Sequence, residues 1–190
     1  MRSGTTLLGS TLAVCAAALF LLVGQTGPAL SQASTLDELY EQLADPDNDK
    51  WHRTQSDIQR EWSKSGSPAM DLLLKRGQDA IQEGDLAAAI EHLTALTDHA
   101  PDFAEGWNAR ATAYFLAGMF GPSVADIRRT LALNPHHYGA LAGLGMILEQ
   151  TERDQSAIEA YRASLAIHPH QEGIKEALKR LEQKTSGTEL

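Results

Sequence analysis

The chain has 190 residues, of which 43% are hydrophobic and 22% charged, a composition typical of a globular protein. Acidic residues outnumber basic ones by 25 to 16, so the formal net charge is −9. A surface of that sign repels nucleic acid and anionic lipid, and we therefore expect no nucleic-acid partner.

The amino terminus departs from this average composition. Arg2 precedes an uncharged, mainly apolar run over residues 7–23, and Ser31-Gln32-Ala33 offers small residues at positions −3 and −1 of a cleavage site. This pattern predicts a secretory signal peptide over residues 1–33. A run of 17 residues is at the short limit for a membrane helix. The alternative is therefore an uncleaved inner-membrane anchor through residues 7–23, the one case in which we expect membrane contact.

Cys15 is the only cysteine of the chain and lies in the middle of the apolar run, where a lipidation cysteine is not expected. Cleavage after Ala33 removes it. Disulfides, cysteine nucleophiles and thiolate metal sites are then excluded in the mature protein, so its stability must come from packing.

Residues 34–67 predict a helical hairpin. Apolar residues recur at i, i+3, i+4 and i+7 from Leu36 to Leu43, and Asp45-Pro46 would end that helix. A second helix is expected from near Asp47 to Ser63. Pro68 precedes Pro101 by 33 residues, so we interpret the hairpin as a degenerate leading repeat. Two large aromatic side chains of the second helix are expected to pack on the first full repeat, namely Trp51 and Trp62.

A 34-residue period organises the rest of the chain, because Pro101, Pro135 and Pro169 are evenly spaced. The three copies cover residues 70–103, 104–137 and 138–171. First helices are expected over 69–83, 103–117 and 137–150, and second helices over 86–99, 120–133 and 154–167. Each proline lies where a second helix must end. A capping helix is expected over 172–184, followed by a frayed tail over 185–190.

The third copy shows the residue pattern of the repeat most clearly. The spacing is W-x2-L-G-x2-Y, then A-x3-F, then P, and its positions are taken by Leu141, Leu144, Gly145, Leu148, Ala157, Tyr161 and Pro169. The pattern resembles the tetratricopeptide repeat. In the other two copies an arginine replaces the usual leucine, at Arg76 and Arg110. Small residues are expected where paired helices approach closely, at Gly77, Ala89, Ala111, Ser123, Gly145 and Ala157.

The resemblance implies an all-α fold: a right-handed α-solenoid of three helix pairs, with an N-terminal helical hairpin and a C-terminal capping helix. It also implies that the first helices line a concave groove. The family's ligand-contacting positions correspond here to Asp71, Leu74, Gln78, Ile81 and Gln82 in the first copy, Glu105, Asn108, Thr112, Phe115 and Leu116 in the second, and Gly139, Ala142, Met146, Glu149 and Gln150 in the third.

Those residues predict an apolar groove with acidic edges. Relatives that clamp a terminal carboxylate use Lys, Arg and Asn, of which only Asn108 is present, so an apolar or amphipathic helix with some basic residues suits this groove better. The other interpretation is that the hairpin folds back over part of the groove, leaving Phe115 and Leu116 as core residues.

Histidines gather at the inter-repeat turns, at His136, His137, His168 and His170. Neutral imidazoles bind zinc, copper or nickel, so a metal-binding protein using this edge is an alternative function. Histidine is also common in turns, and no acidic residue is spaced to complete a site. No cofactor is expected.

No catalytic motif is present: the sequence lacks a phosphate-binding glycine loop, a G-x-S-x-G elbow and an H-E-x-x-H pair. In layout the chain resembles small secreted tetratricopeptide proteins of Gram-negative bacteria. That resemblance implies a non-catalytic, periplasmic scaffold or adaptor with a protein or peptide partner. A structural component of an envelope complex is the further alternative.

Overall fold

Helices joined by short turns make up residues 28–188, which is the part of the chain that this computed structural model describes, with side chains over 35–187. This part contains nine helices and no strand. The helices are α1 (Pro28–Ala44), α2 (Trp51–Trp62), α3 (Pro68–Glu83), α4 (Leu86–His99), α5 (Ala104–Leu116), α6 (Phe120–Leu133), α7 (Tyr138–Gln150), α8 (Asp154–Ile167) and α9 (Glu172–Thr188).

The predicted signal peptide lies outside the described residues up to position 27, and its last residues belong to the backbone of α1. The apolar run over 7–23 and Cys15 also lie outside them. No helix between residues 28 and 188 combines the length and the apolar character that crossing a bilayer requires.

Three helix pairs form the predicted repeats, and each of their six helices begins and ends within one residue of the predicted range. We call α3/α4 repeat 1, α5/α6 repeat 2 and α7/α8 repeat 3. The turn inside each repeat needs one residue with positive φ, because the chain must reverse within two residues. Gly84 (φ 79°) and Gly118 (φ 72°) supply it in the first two repeats, whereas the third uses Glu152 (φ 57°).

Small residues sit where the two helices of a repeat touch, as predicted. Ala89, Ser123 and Ala157 are fully buried. A Cβ atom on Gly77 would lie within 3.0 Å of the Leu93 side chain, and one on Gly145 would lie 3.1 Å from Tyr161 Cγ and closer still to other ring atoms. These glycines are therefore required by close helix contact rather than by backbone conformation.

Arg110 explains one departure from the repeat pattern. Its guanidinium donates two hydrogen bonds to Asp126, Nε to Oδ2 at 2.7 Å and Nη2 to Oδ1 at 3.0 Å. Nη1 also donates to Thr97 Oγ1 of the preceding repeat at 2.8 Å. The hydrogen bond to Asp126 raises the pKa of Arg110 despite partial burial. The arginine thus joins the two helices of repeat 2 by a buried ion pair, and links them to repeat 1 by the hydrogen bond to Thr97, where a leucine would pack.

The capping helix α9 covers repeat 3. Ala177 and Leu181 pack on Ile158 and Tyr161, so the last apolar face of the stack is buried. The helix continues to Thr188, past the end expected at 184, and Thr185 Oγ1 donates back to the carbonyl oxygen of Leu181 at 3.0 Å. Residues 189 and 190 lie outside the described part.

The amino-terminal hairpin α1/α2 takes a different place from the expected one. Trp51 and Trp62 do not pack on repeat 1, as the sequence had suggested, but join Leu43 and Ile58 in a cluster with Tyr138 and Ile167 of repeat 3. Repeat 3 offers aromatic rings at this edge. In repeat 1 the first helix carries Arg76, which is exposed.

The α1–α2 connection is longer than expected and runs over residues 45–50. Asp45 Oδ1 accepts from the backbone N–H of Asp47, and Asn48 Oδ1 accepts from that of Lys50, both at 2.9 Å. These side-chain bonds hold residues 45–50 in turns. The second helix therefore begins at Trp51 rather than near Asp47.

Candidate functional site

The first helices α3, α5 and α7 line a concave face with three adjoining cavities. One of about 370 Å³ lies beneath α2, a second of about 370 Å³ lies between α3 and α5, and a third of about 100 Å³ lies between α5 and α7. Asn108 borders all three. The predicted groove residues found in their walls are Gln78, Ile81, Gln82, Glu105, Asn108, Thr112, Phe115, Gly139 and Met146.

The remaining predicted residues lie outside these walls. Leu74 and Ala142 are 3% and 6% exposed and belong to the core. Asp71 accepts hydrogen bonds from the Ser65 backbone N–H at 2.8 Å and from its hydroxyl at 2.6 Å, fixing the loop before α3.

At the carboxyl ends of α5 and α7, Leu116 and Gln150 face solvent. Glu149 accepts from the Tyr161 hydroxyl at 2.9 Å and from Arg180 Nη2 at 2.6 Å. This carboxylate therefore ties α7 to α8 and to the cap. Burial raises the pKa of Tyr161, and the hydrogen bond to Glu149 raises it further.

The hairpin covers one end of the groove and leaves the other open. The Trp62 ring stacks on His137 at the start of α7, with centroids 4.3 Å apart and an angle of 20°. Its Nε1 donates to Tyr40 Oη at 2.8 Å, which ties α2 to α1. At the far end Leu116 is 52% exposed and Met146 38% exposed. The hairpin thus folds back over one end of the groove, as the second interpretation expected, but it leaves Leu116 exposed rather than in the core.

Phe115 contacts both the core and the groove. It is half-buried and packs on Phe120 at 5.9 Å between ring centroids, while also lining the third cavity. Its ring is a core residue on one side and a groove residue on the other.

The electrostatics of the covered end depend on His137 and Glu105. His137 Nδ1 accepts the backbone N–H of Ala140 at 3.0 Å, so it caps α7. An accepting Nδ1 carries no proton, and the ring proton must be on Nε2, which lies 3.0 Å from Glu105 Oε2. His137 is therefore neutral, and it orients the Glu105 carboxylate without neutralising its charge.

The other predicted histidines lie at the edge where the hairpin docks. His168 is 2% exposed, with Nε2 3.2 Å from Gln55 Oε1 and its ring against Trp51 and Tyr138. Burial lowers the pKa of His168 to about 4. His170 Nε2 donates to the carbonyl oxygen of Asp45 at 3.0 Å and the ring stacks on Trp51.

The sequence thus brings the histidines to one edge, but they contact hairpin side chains instead of facing a common centre. His136 packs against Tyr40, with ring centroids 4.6 Å apart. Within the described part of the chain, no three His, Cys, Asp or Glu residues are placed to hold a metal ion together.

Sequence reasoning missed the hairpin's contribution to the groove. Gln59, Trp62 and Ser63 of α2 and the loop after it line the first cavity, opposite Glu105 and Gln78. Long-range docking leaves no periodic signal. Arg76 gave no usable hint, because the equivalent residue Arg110 lies between two stacked repeats.

Comparisons with known proteins agree with this architecture. Residues 74–120 and 123–172 match the family model described as Tetratricopeptide repeat. A TPR repeat-containing protein of Rhizobium etli is 34% identical over 168 residues, covering 88% of this chain and 82% of that protein.

Two solved structures share the fold. The first TPR of Spaghetti (RPAP3), bound to the HSP90 peptide SRMEEVD, has a TM-score of 0.61 and 22% identity, and the match covers 63% of this chain and 95% of that one. The MamA protein has a TM-score of 0.58 and 22% identity, and the match covers 80% of this chain and 84% of that one.

Proposed function

The chain belongs to the tetratricopeptide repeat family, whose fold is a protein-interaction fold, and from that premise we propose that it is a non-catalytic scaffold or adaptor. It holds a peptide or helix of a partner protein in its concave groove. The observation that carries this proposal is the open end of the groove, where Met146 and Phe115 line an apolar cavity beside the exposed Leu116. Exposed apolar surface of this kind is typical of partner sites.

The chemistry of the groove defines the kind of partner. The HSP90 peptide SRMEEVD bound by RPAP3 has three acidic residues among its last four. In this chain, by contrast, no lysine or arginine belongs to the described walls of the three groove cavities, whereas Glu105 does. An anionic segment would find no counter-charge there. The partner segment is therefore apolar, with basic rather than acidic residues.

We further propose that the protein acts in the periplasm of a Gram-negative bacterium, exported by residues 1–33. The support is the charged start, the apolar run and the small residues before Ser34. Amino-terminal sequencing of the protein recovered from fractionated cells tests this. A soluble periplasmic form beginning at Ser34 is expected, while a membrane-bound form that retains residues 7–23 would establish the anchored alternative.

The groove is tested by photo-crosslinking in cells that make the protein. A photoreactive residue at Met146 should capture a discrete partner, and one at the exposed Glu159 on the outer helix α8 should not. Adding Leu116→Glu to the Met146 probe should abolish capture, because a carboxylate in the apolar end opposes burial of the partner.

Leu116 is exposed, so thermal unfolding of the Leu116→Glu variant should match that of the parent chain and show that its fold is intact. Equal capture at Met146 and Glu159, or capture that survives Leu116→Glu, would rule out the groove as the partner site.

A further inference from the structure

We propose that the cavity beneath α2, which we call the strap cavity, binds an arginine or lysine side chain of the partner. This inference rests on the proposed function and specifies its ligand chemistry. The strap cavity lies between Trp62 of α2 and Glu105, His137 and Tyr138 of the repeats, and it measures about 370 Å³. Neither the family comparison nor the sequence pattern predicts it, because a third of its lining residues come from the hairpin and the loop after it.

The strap cavity has a negative charge, and no lysine or arginine among the described residues lines it. Glu105 has 15% side-chain exposure, and its ion-pair partner among the described residues is His137. That ring is neutral, since its Nδ1 accepts the Ala140 N–H. A partly buried carboxylate without a counter-charge is costly, and an incoming cation compensates for it.

The other walls suit the rest of a basic side chain. Trp62 and Tyr138 lie with ring centroids 5.1 Å apart and provide aromatic surface for a methylene stem and a planar guanidinium. Gln59, Gln78 and Asn108 add amide oxygens that accept hydrogen bonds from its N–H groups. The cavity therefore offers one charge, several acceptors and an aromatic wall.

The position of the strap cavity favours a side chain that branches from a polypeptide in the groove. Gln78, Glu105 and Asn108 are shared with the neighbouring cavity between α3 and α5, also about 370 Å³. A partner segment can thus follow the groove towards Met146 while one residue inserts beneath α2. The net charge of −9 adds long-range attraction for basic partners.

The test uses the full chain and two small probes, N-acetyl-arginine methylamide and its citrulline counterpart, which has the same shape without the charge. Binding is followed by titration calorimetry and by the NMR signal of the Trp62 indole N–H. We expect the arginine probe to bind about tenfold more tightly than citrulline, and to shift the Trp62 signal.

Glu105→Gln should abolish the preference for arginine, since the amide still accepts from His137 but carries no charge. The matched control is Glu149→Gln, because that carboxylate is bonded to Arg180 and Tyr161 outside the strap cavity, so the preference should persist. Should Glu105→Gln fail to fold, Gln78→Glu gives the complementary test: a second carboxylate should strengthen arginine binding several-fold.

Equal binding of arginine and citrulline, or a preference that survives Glu105→Gln, overturns the inference. So does a Gln78→Glu variant with unchanged affinity. The groove proposal has a separate outcome: capture at Met146 without an arginine preference removes the strap cavity as a site and leaves the groove intact. Arginine binding without capture at Met146 removes the groove function and leaves the cavity.

Discussion

Two glycines of α7, Gly143 and Gly145, should respond to alanine with opposite signs. A Cβ atom on Gly145 would lie 3.1 Å from Tyr161 Cγ and closer to Cδ1 and Cε1. The Tyr161 ring cannot easily move away, because it is 1% exposed and its hydroxyl is bonded to Glu149 at 2.9 Å. On Gly143 the nearest atom to the new Cβ is Ile127 Cδ1 at 3.8 Å, an ordinary contact.

Overpacking of this kind costs about 1–3 kcal/mol. Both substitutions also gain helix propensity, by up to about 1 kcal/mol. Gly143→Ala should therefore stabilise the protein slightly, whereas Gly145→Ala should destabilise it, and the two should differ by about 2 kcal/mol. At about 2–4 °C per kcal/mol for a chain of this size, their melting temperatures should be separated by roughly 4–8 °C.

Thermal and urea unfolding followed by circular dichroism at the helix band measures this difference, with the parent chain beside both variants. The reasoning would be refuted if Gly145→Ala were as stable as Gly143→Ala. That result would mean that the Tyr161 ring yields without cost, and that the close approach of α7 and α8 does not require glycine.

Three further predictions use the same unfolding assay. Asp126→Ala should cost about 3 kcal/mol, because it leaves the guanidinium of Arg110 buried without a counter-charge; adding Arg110→Leu should restore most of that loss, and no recovery would count against the ion-pair explanation. The pKa of His168 is about 4 in the folded chain and 6.5 in the unfolded chain, so between these pH values only the unfolded chain binds the proton. The free energy of unfolding should therefore fall as the pH drops through that window, by about 2 kcal/mol at pH 5. His168→Gln should flatten this dependence, and an unchanged slope would assign it elsewhere. Glu152→Gly should stabilise by about 1 kcal/mol by relieving the positive φ of 57°, whereas a loss of stability would show that the Glu152 side chain contributes more than the strain costs.

The groove residues show which features of the site can be predicted from the sequence. The ligand-contacting positions implied by the family resemblance include nine residues that line the concave cavities, because a residue's face on a helix depends on its position in the 34-residue period. The same rule placed Leu74 and Ala142 in the groove although both are buried. Whether a residue on the groove side of a helix is open or buried depends on the side chains of the neighbouring helix. The repeat period does not specify those side chains.

For the histidines, the sequence predicted their location but not their role. Their shared edge follows from the spacing of the turns, but their role follows from the hairpin, whose aromatic side chains pack against them. A metal site and a docking surface have the same sequence signature here, since both require side chains gathered at one edge.

The sequence by itself determined the helices, the three repeats and the small residues between paired helices, because these features depend on contacts within about 34 residues of chain. It also predicted a hairpin, but not its position. Only the tertiary structure decided that α2 crosses to repeat 3 and covers one end of the groove, bringing His168 within 3.2 Å of Gln55 across 113 positions of sequence. Such docking is selected by complementary surfaces and leaves no period in the chain. The strap cavity, made by both partners of that contact, therefore exists only in the folded molecule.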